Sequence, residues 1–250
     1  MFDIITIGTA TTDVFLSSPF FRVIKDPQYL KRMDFPTGEA QCFALGGKIE
    51  ISKPIITTGG GAANTAATFS RQGLKTACLI KIGKDRAGKD VLDELIREKI
   101  TTLKLQTTNY KLLTSNTGTA YSTILLAPDG ERTILVYRGA SENLKISEIP
   151  FSKLKTKWLY ISPGGIPFPA VKKIVDCALK QKIQIAFNPS WHYIGLGMKK
   201  LAPILAKSKV VILNREEASY LTKTDYEKSE EIFKKMDKLV AGIVAVTDGE

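Results

Sequence analysis

The stretch Ile55-Ile56-Thr57-Thr58-Gly59-Gly60-Gly61-Ala62-Ala63-Asn64-Thr65-Ala66 decides the fold, because three glycines separate a strand-like run from a helix-like one. We predict a helix over residues 62–72, preceded by a turn whose backbone takes positive φ and approaches a bound molecule closely. Unpaired N–H groups at the start of that helix would point at this molecule, and Asn64 adds an amide that donates and accepts hydrogen bonds. Gly60, Gly61 and Asn64 therefore predict a polar-ligand or anion cradle, and a plain strand-to-helix turn is the alternative.

Outward from the glycines, apolar strand-like runs alternate with amphipathic helix-like segments. The predicted strands cover residues 4–7, 76–82, 158–161, 183–187, 210–213 and 243–246, and the predicted helices cover residues 62–72, 87–99, 170–181, 198–206, 216–221 and 229–239. Continuous Val, Ile and Leu runs are typical of parallel strands buried on both faces. The sequence therefore predicts an α/β fold with a mostly parallel central sheet, helices on both faces, and ligands at the carboxyl ends of the strands.

Two segments interrupt this alternation, at about residues 14–56 and 103–138. The first contains Pro, Gly and short β-prone pieces, and the second contains alternating strands around Asp129-Gly130, a strong hairpin signal. We interpret both as parts of a small β-sheet lid on a single domain that spans residues 1–250. Surface hairpins without a function are the alternative interpretation.

Charge and cysteine content limit the kinds of partner and compartment. The 250 residues include 36 Lys plus Arg against 25 Asp plus Glu, a formal net charge of +11. The lysines are scattered, which favours a solvated basic surface over a nucleic-acid face. The three cysteines are far apart, the chain begins directly with a strand, and no apolar stretch approaches a membrane span. We therefore expect a cytoplasmic protein that binds neither nucleic acid nor membrane.

Several short motifs, in order along the whole chain, resemble those of the ribokinase-like (PfkB) carbohydrate kinases. The first is the glycine stretch itself, with Gly73 and Gly83 at matching spacings. The others are Gly8 with Asp13, then Gly83-Lys84-Asp85-Arg86-Ala87-Gly88, Asn214-Arg215-Glu216-Glu217 and Val246-Thr247-Asp248-Gly249. The resemblance implies the ribokinase-like fold, and it implies phosphoryl transfer from ATP to a hydroxymethyl group of a sugar or a nucleoside.

The resemblance also assigns substrate-binding residues. Asp13 would accept hydrogen bonds from substrate hydroxyls, and its alternative is to cap a helix or a turn. Gly60, Gly61 and Asn64 would hold further hydroxyls, in agreement with the cradle inferred above. Arg138, at the end of the second lid segment, would meet a carboxylate or a phosphate on the substrate, and the alternative is an ordinary surface arginine.

Nucleotide binding is implied for residues that follow the later strands. Asn188 resembles a position that contacts the nucleotide phosphates, and an ordinary Asn-Pro turn is its alternative. Asn214 and Glu217 open a helix, where the Glu217 carboxylate would hold Mg²⁺ through water and the metal would offset charge on the triphosphate. The same two residues match a capping box, which is compatible with the metal role. Thr247 and Gly249 would contact the phosphates or the ribose of ATP.

One departure from the family pattern concerns activity. The family's catalytic base is an aspartate in a Gly-Ala-Gly-Asp segment after the Val-Thr-x-Gly motif, and no such segment occurs up to Glu250. Because a positioned base contributes roughly 10²–10⁴-fold to a rate, we expect residues 1–250 to be nearly inactive alone, as the C-terminally truncated part of a longer kinase. A noncatalytic sugar-binding or regulatory protein is the alternative.

A second departure concerns the substrate. Where ribokinases place a glutamate, this chain has Ser162-Pro163-Gly164-Gly165, and it carries a long insertion over residues 15–56. Both features put ribose in doubt, so the substrate stays open between a sugar and an adenosine-like nucleoside. Members of the family commonly dimerise through their lid sheets, so we expect a homodimer.

Overall fold

The structure, a computed structural model, describes residues 1–33, 35, 38–103, 114–115 and 117–248. The chain divides into two compact units. The first comprises Met1–Thr11, Thr58–Ala120 and Arg138–Glu250, and the second comprises Thr12–Thr57 and Tyr121–Tyr137. The second unit includes the whole of the first predicted lid segment and the latter part of the second one. Residues 104–113 and 116 of that second segment lie outside the described residues.

Strands and helices alternate through much of the described part of the chain. The strands are β1 (Phe2–Gly8), β2 (Thr11–Ser17), β3 (Arg22–Lys25), β4 (Glu39–Cys42), β5 (Ile55–Gly59), β6 (Thr76–Ile80), β7 (Ile82–Gly83), β8 (Thr101–Thr102), β9 (Thr114–Ser115), β10 (Ala120–Leu126), β11 (Arg132–Tyr137), β12 (Thr156–Ser162), β13 (Gln184–Phe187), β14 (Val210–Asn214) and β15 (Ile243–Thr247). The helices are α1 (Pro27–Leu30), α2 (Gly61–Arg71), α3 (Arg86–Arg97), α4 (Phe168–Lys180), α5 (Trp191–Ile194), α6 (Met198–Leu205), α7 (Arg215–Thr222) and α8 (Ser229–Leu239). Short 3-10 helices cover Lys31–Met33, Gly139–Asn143, Ile146–Glu148 and Phe151–Lys153.

The first unit is built on a seven-stranded sheet in the order β15-β14-β13-β12-β1-β6-β8. Every pair of neighbours in this sheet is parallel. The chain runs from β1 to β6 and β8 on one side and then to β12, β13, β14 and β15 on the other, so the strand order reverses at β1. All carboxyl ends therefore lie along one edge, and such a reversal point is where ligands bind in open parallel sheets.

Helices cover both faces of this sheet, and the apolar runs of the central strands follow from that. All five residues of β6 are buried. Ala77 and Leu79 join one apolar cluster, which includes α4, whereas Cys78 and Ile80 join another, which includes the alanines of α2. Because successive residues of a strand point to opposite faces, the two clusters lie on opposite sides of the sheet.

The second unit consists mainly of β structure. A four-stranded sheet has the order β11-β10-β2-β5, and β3 pairs antiparallel with β4. The antiparallel pair of β10 and β11 closes through a turn in which Gly130 has a φ of +92°, where the N–H of Ala127 donates to the Glu131 carbonyl at 2.8 Å. Asp129-Gly130 thus forms the hairpin turn that the sequence predicts.

The fold class predicted from the sequence is confirmed: a mostly parallel central sheet with helices, plus a small separate sheet. The differences are at the ends of elements. The predicted strand over residues 76–82 is divided into β6 and β7 at Lys81. Lys81 belongs to neither strand. Its buried side chain donates to the Asn143 carbonyl and the Glu148 carboxylate.

Candidate functional site

The sequence-predicted residues of the first unit lie along the carboxyl edge of its parallel sheet. Gly8, the last residue of β1, pairs in register with Ser162, the last residue of β12. Asn188 directly follows β13. Asn214, the last residue of β14, pairs in register with Thr247, the last residue of β15. Polar strand ends therefore form a continuous row, which begins beside the start of α2.

Gly60 and Gly61 allow the start of α2 to pack closely against this row. Gly60 has a φ of +94°, a backbone conformation that favours glycine. A Cβ at Gly60 would lie 2.6 Å from the Thr9 carbonyl oxygen and 2.7 Å from the Ala10 Cα, and a Cβ at Gly61 would overlap the Ser162 side chain. The space in which a Cβ of either glycine would lie is therefore occupied by Thr9 and Ala10, which follow β1, and by Ser162, the last residue of β12.

The first N–H groups of α2 are not unpaired, contrary to the cradle predicted from the sequence. Thr9 accepts three of them, from Gly61 through Oγ1 at 3.1 Å and from Ala62 and Ala63 through its carbonyl at 3.1 and 3.4 Å. The loop after β1 thus caps the helix, as a capping side chain would. The part of the prediction that relied on unpaired N–H groups is wrong. The Asn64 side chain, by contrast, is exposed and makes no hydrogen bond with the described residues.

Asp13 lies in β2, in the second unit. Its side chain is partly buried, and its neighbours Thr12 and Val14 are buried. Because side chains alternate along a strand, Asp13 points to the face of β2 opposite to theirs. Its assignment to a substrate hydroxyl stays a prediction.

Arg138 precedes the short 3-10 helix Gly139–Asn143, and a protein carboxylate already faces it. The Arg138 Nε lies 3.4 Å from Glu142 Oε1, and about half of each side chain is exposed. Glu142 extends over the loop after β12, because a Cβ at Gly165 would lie 2.5 Å from Glu142 Oε1. The arginine expected to meet an anionic substrate group is therefore partly neutralised by its own neighbour.

An ion pair between the buried Lys81 and the partly exposed Glu148 holds the segment that follows Arg138 and Glu142. The side chain of Lys81 is 4% exposed, and its Nζ donates to the Asn143 carbonyl at 2.6 Å. It also donates to both oxygens of Glu148, at 2.8 and 2.7 Å. Glu148 in turn accepts from the N–H of Lys145. A buried charge of this kind requires its partner, so the pair fixes the segment to the end of β6.

The Gly-x-Asp-x-x-Gly motif has a structural role in this chain. Asp85 caps α3 by accepting from the N–H of Gly88 at 2.8 Å, and it accepts from the Thr119 N–H and hydroxyl at 2.7 and 2.6 Å. Burial raises the pKa of Asp85, but these hydrogen bonds outweigh it and lower the pKa below its usual value. The motif therefore joins the start of α3 to the segment before β10.

Asn188 connects strand ends. Its side-chain amide donates to the Ile212 carbonyl at 2.8 Å, and its backbone N–H donates to the Ile161 carbonyl at 2.9 Å. Asn188 thus bonds to both flanking strands, β12 and β14. One N–H of its amide is left for a ligand, since an amide nitrogen carries two.

Asn214 and Glu217 form the capping box that the sequence predicts. Asn214 Oδ1 accepts from the Glu217 N–H at 2.7 Å, and Glu217 Oε2 accepts from the Asn214 N–H at 3.0 Å. Glu217 is only 8% exposed. Burial raises the pKa of its carboxyl, and the hydrogen bond from Asn214 opposes this rise.

This arrangement suits a hydrated cation. Glu217 Oε1 makes no hydrogen bond with the described residues, so one oxygen of a buried carboxylate is left over after the helix is capped. Carboxylate oxygens, often through water, are the ligands that Mg²⁺ prefers. In the described part of the chain, this site included, no group of three or more His, Cys, Asp or Glu side chains is arranged to hold a metal ion.

Thr247 is exposed at the end of β15, beside Asn214, whereas Gly249 lies outside the described residues. Next to Thr247 is a contact that the motifs do not indicate. Arg215 Nη1 pairs with Asp248 Oδ2 at 2.8 Å, and the Arg215 guanidinium lies 4.2 Å from the centre of the Tyr226 ring. The motif that begins at Asn214 and the one that begins at Val246 are therefore joined directly, through adjacent strands and through this ion pair.

Three residues of the site were not assigned a role from the sequence: Thr9, Glu142 and Ser162. For Thr9 and Ser162 a signal existed, since each is a polar residue at the end of a buried apolar strand. For Glu142 there was none, because its contact with Gly165 depends on the tertiary structure. No helix within the described ranges is long and apolar enough to cross a membrane.

Comparison with protein families and curated proteins gives consistent matches. The sequence model described as "pfkB family carbohydrate kinase" matches residues 39–250. A probable fructokinase-5 from Arabidopsis thaliana is 23% identical over 205 residues, which is 77% of this chain and 61% of that protein. A ribokinase from Mus musculus is 30% identical over 176 residues, 67% of this chain and 50% of that protein. The chain thus spans between half and two thirds of the length of these relatives.

Comparison with solved structures supports the fold independently of sequence identity. The structure of Arabidopsis thaliana ribokinase in complex with ribose and ATP superposes with a TM-score of 0.71. The match covers 99% of this chain and 72% of that one, at 16% identity. At this identity the likeness establishes the fold alone.

Proposed function

Because the chain belongs to the pfkB family of carbohydrate kinases, we propose that the protein transfers the γ-phosphoryl group of ATP to a hydroxymethyl group of a sugar. The observation that carries the proposal is the row of polar strand ends on one edge of the first unit's sheet. Phosphoryl transfer needs the two substrates side by side and in line, with groups that neutralise the triphosphate. The row of strand ends begins beside α2, which carries Asn64. It ends at β14 and β15, where Asn214, Glu217 and Thr247 lie, so it supplies such an arrangement.

The sugar is assigned to the end of the row beside α2. The Asn64 amide is exposed there and offers both donors and an acceptor to hydroxyl groups. The Gly60-Gly61 turn leads directly into α2, so its backbone lies near Asn64. The family pattern assigns a further hydroxyl contact to Asp13. The reaction also needs a base for the hydroxyl proton, and we assign that role to none of these residues.

The nucleotide is assigned to the other end of the row. Asn188, through its remaining amide N–H, and Thr247 would donate to phosphate oxygens or the ribose, and Gly249 is assigned to the same loop. Asn214 would hold Glu217 in place, and Glu217 would hold Mg²⁺ through water with the oxygen that the capping box leaves over. When bound, the metal offsets charge on the triphosphate.

Two measurements test the proposal. Calorimetric titration of the chain with neutral sugars, sugar acids, sugar phosphates and nucleosides identifies the substrate class, and ADP release is measured on the complete gene product. Asn64→Ala should weaken sugar binding about tenfold, because one or two hydrogen bonds to hydroxyls are lost. Gln72→Ala, which removes an exposed amide directly after the last residue of α2, is the matched control and should have no effect. Absence of ADP release with every substrate would refute the kinase, and sugar binding without release would favour a noncatalytic sugar-binding protein.

We also propose that the protein forms a homodimer through the sheet of the second unit. Every residue of β11 is exposed, and Ile134, Leu135, Val136 and Tyr137 are each 46–56% exposed. Contiguous exposed apolar side chains commonly mark protein–protein contacts. Light scattering should give twice the monomer mass, and Leu135→Lys should give the monomer. A wild-type protein that is monomeric at micromolar concentration would contradict this proposal.

The cytoplasm is the compartment that we propose. Cys42, Cys78 and Cys177 are all free thiols. Free thiols persist where glutathione and thioredoxin keep them reduced. A fluorescent fusion should distribute through the cytoplasm, and enrichment in a secretory compartment would contradict the assignment.

A further inference from the structure

The pair of Arg138 and Glu142 has properties that matter for substrate choice. The two side chains lie one turn apart and meet at 3.4 Å, with 46% and 44% of their surfaces exposed. Glu142 Oε2 makes no hydrogen bond with the described residues, so the carboxylate keeps acceptor capacity beyond the arginine. A carboxylate oxygen with acceptor capacity and a partly neutralised cation thus face solvent together.

The position of Glu142 places this pair beside the row of strand ends. Its Cγ and Oε1 would lie 2.7 and 2.5 Å from a Cβ at Gly165, so the carboxylate covers the loop after β12. The adjacent Gly164 packs against the Thr9 side chain, and Ser162, two residues earlier, packs against Gly61. Contacts within the first unit therefore lead from Glu142, along the loop after β12, to the start of α2, the helix that carries Asn64.

The segment that carries the pair is held from several sides. The N–H of Ala140 donates to the Gly118 carbonyl at 2.9 Å, and the Ser141 hydroxyl donates to the Arg138 carbonyl at 2.5 Å. Lys81 holds the next residue, Asn143, through its carbonyl oxygen. Glu142 is therefore presented from a fixed backbone, which a residue that discriminates between ligands requires.

We propose that Glu142 determines the charge selectivity of the sugar site, so that the substrate is a neutral sugar and not a sugar acid or a sugar phosphate. This inference rests on the proposed function. The Glu142 carboxylate accepts hydrogen bonds from sugar hydroxyls, and hydrogen bonds to an ionised acceptor are the stronger kind. It also offsets part of the charge of Arg138, the cation that an anionic ligand would seek.

An anionic ligand meets two obstacles at this pair. Glu142 already offsets part of the charge of Arg138, and an anion bound to the remaining N–H groups of the guanidinium lies near the Glu142 carboxylate. Specificity of this kind arises from repulsion of the wrong ligand as well as attraction of the right one. At an exposed position such repulsion is screened by water and salt, so we expect a discrimination of about tenfold.

The test compares D-glucose with D-gluconate and D-ribose with D-ribonate by titration of the chain. Wild type should bind each neutral sugar about tenfold more tightly than its acid. Glu142→Gln keeps the shape and removes the charge, so the affinity for the acids should rise about tenfold. Adding Arg138→Gln to that variant should abolish the gain. Asp90→Asn, which removes the carboxylate from the exposed pair of Arg86 and Asp90, is the matched control.

The outcomes are distinct. Wild-type affinities that are equal for acid and neutral sugar, or an unchanged ratio in Glu142→Gln with an unchanged melting temperature, overturn this inference alone. An equal gain in the Asp90→Asn control also overturns it, because the effect is then one of overall charge. Absence of binding by any sugar overturns both this inference and the proposed function.

Discussion

Substitution of Glu217 by Gln separates its observed role, capping of α7, from its proposed role, support of Mg²⁺. The capping role needs an oxygen that accepts from the Asn214 N–H, which lies 3.0 Å from Glu217 Oε2. Gln supplies such an oxygen and is the accepted equivalent of Glu in a capping box. The metal role needs the negative charge, which Gln lacks. Glu217→Gln should therefore preserve the fold and weaken binding of the metal–nucleotide complex.

The effect on stability follows from the burial of Glu217. Burial raises the pKa of this carboxyl above its usual value of 4.5. A carboxyl whose pKa is raised in the folded state is most favourable to folding below the unfolded-state pKa, and that contribution is lost as pH rises through the folded-state pKa. At neutral pH the ionised wild type bears this cost and the Gln variant does not. Glu217→Gln should thus be as stable as wild type or more stable at pH 7, and this advantage should shrink as pH falls from the raised folded-state pKa toward 4.5 and be absent below it.

A truncation provides the contrast. Glu217→Ala removes the hydrogen bond to the Asn214 N–H, and a hydrogen bond of this kind contributes about 1 kcal/mol. Urea denaturation at pH 7 should therefore give a lower free energy of unfolding for Glu217→Ala than for wild type, by about 1 kcal/mol, with Glu217→Gln at or above wild type. A loss of stability in Glu217→Gln equal to that in Glu217→Ala would refute the capping geometry.

The effect on ligand binding is measured separately, on the complete gene product. Groups that act on a metal from its outer shell typically change its affinity by about 10–100-fold when removed. Calorimetry with a nonhydrolysable ATP analogue should show a decrease of this size for Glu217→Gln in the presence of Mg²⁺, and little change in its absence. Equal affinity of wild type and Glu217→Gln for the magnesium complex would mean that Glu217 is a capping residue only.

Three further substitutions test the supports of the site by denaturant unfolding. Glu148→Gln should destabilise the fold by about 3 kcal/mol, because it leaves the Lys81 ammonium buried without its counter-charge. Adding Lys81→Met should recover most of this loss. A Glu148→Gln variant of wild-type stability would contradict the pairing. Gly61→Ala should lower the free energy of unfolding by about 1–3 kcal/mol, because the added methyl group overlaps the Ser162 side chain. Adding Ser162→Gly should restore this stability. No recovery would mean that the strain lies elsewhere. Asp85→Ala should cost about 2 kcal/mol at pH 7. Because hydrogen bonds lower the pKa of Asp85 below 3.8, its contribution exists above that pH and is lost as pH falls through the folded-state pKa, so a difference from wild type that does not shrink as pH falls below 3.8 would contradict the assignment.

The features that the sequence predicted correctly are those in which the interacting groups are near one another along the chain. Asn214 and Glu217 are three residues apart, and both hydrogen bonds of their capping box were implied by that spacing alone. The Asp129-Gly130 hairpin is equally local. The parallel sheet followed from continuous apolar runs, such as β6, because a strand that is covered on both faces needs no polar side.

The prediction that was wrong concerned groups that meet only after folding. From the glycines alone, the start of α2 has unpaired N–H groups, and nothing nearby in sequence could accept them. The acceptor is Thr9, which precedes Gly61 by 52 positions and reaches it because β1 lies inside the sheet, between β12 and β6. Glu142 contacts Gly165 for a similar reason, since β12 returns beside β1.

A motif therefore does not by itself distinguish a residue that holds ligand from one that holds strand ends together, because both tasks require a polar group at the same position. Asn188 and Glu217 already make hydrogen bonds with their surroundings, so their substitution perturbs the sheet edge as well as any ligand. Asn64 and Thr247 are exposed. A loss of binding in Asn64→Ala or Thr247→Ala at unchanged stability thus reports on ligand contact directly, whereas a loss in an Asn188 variant does so only after its effect on stability is measured.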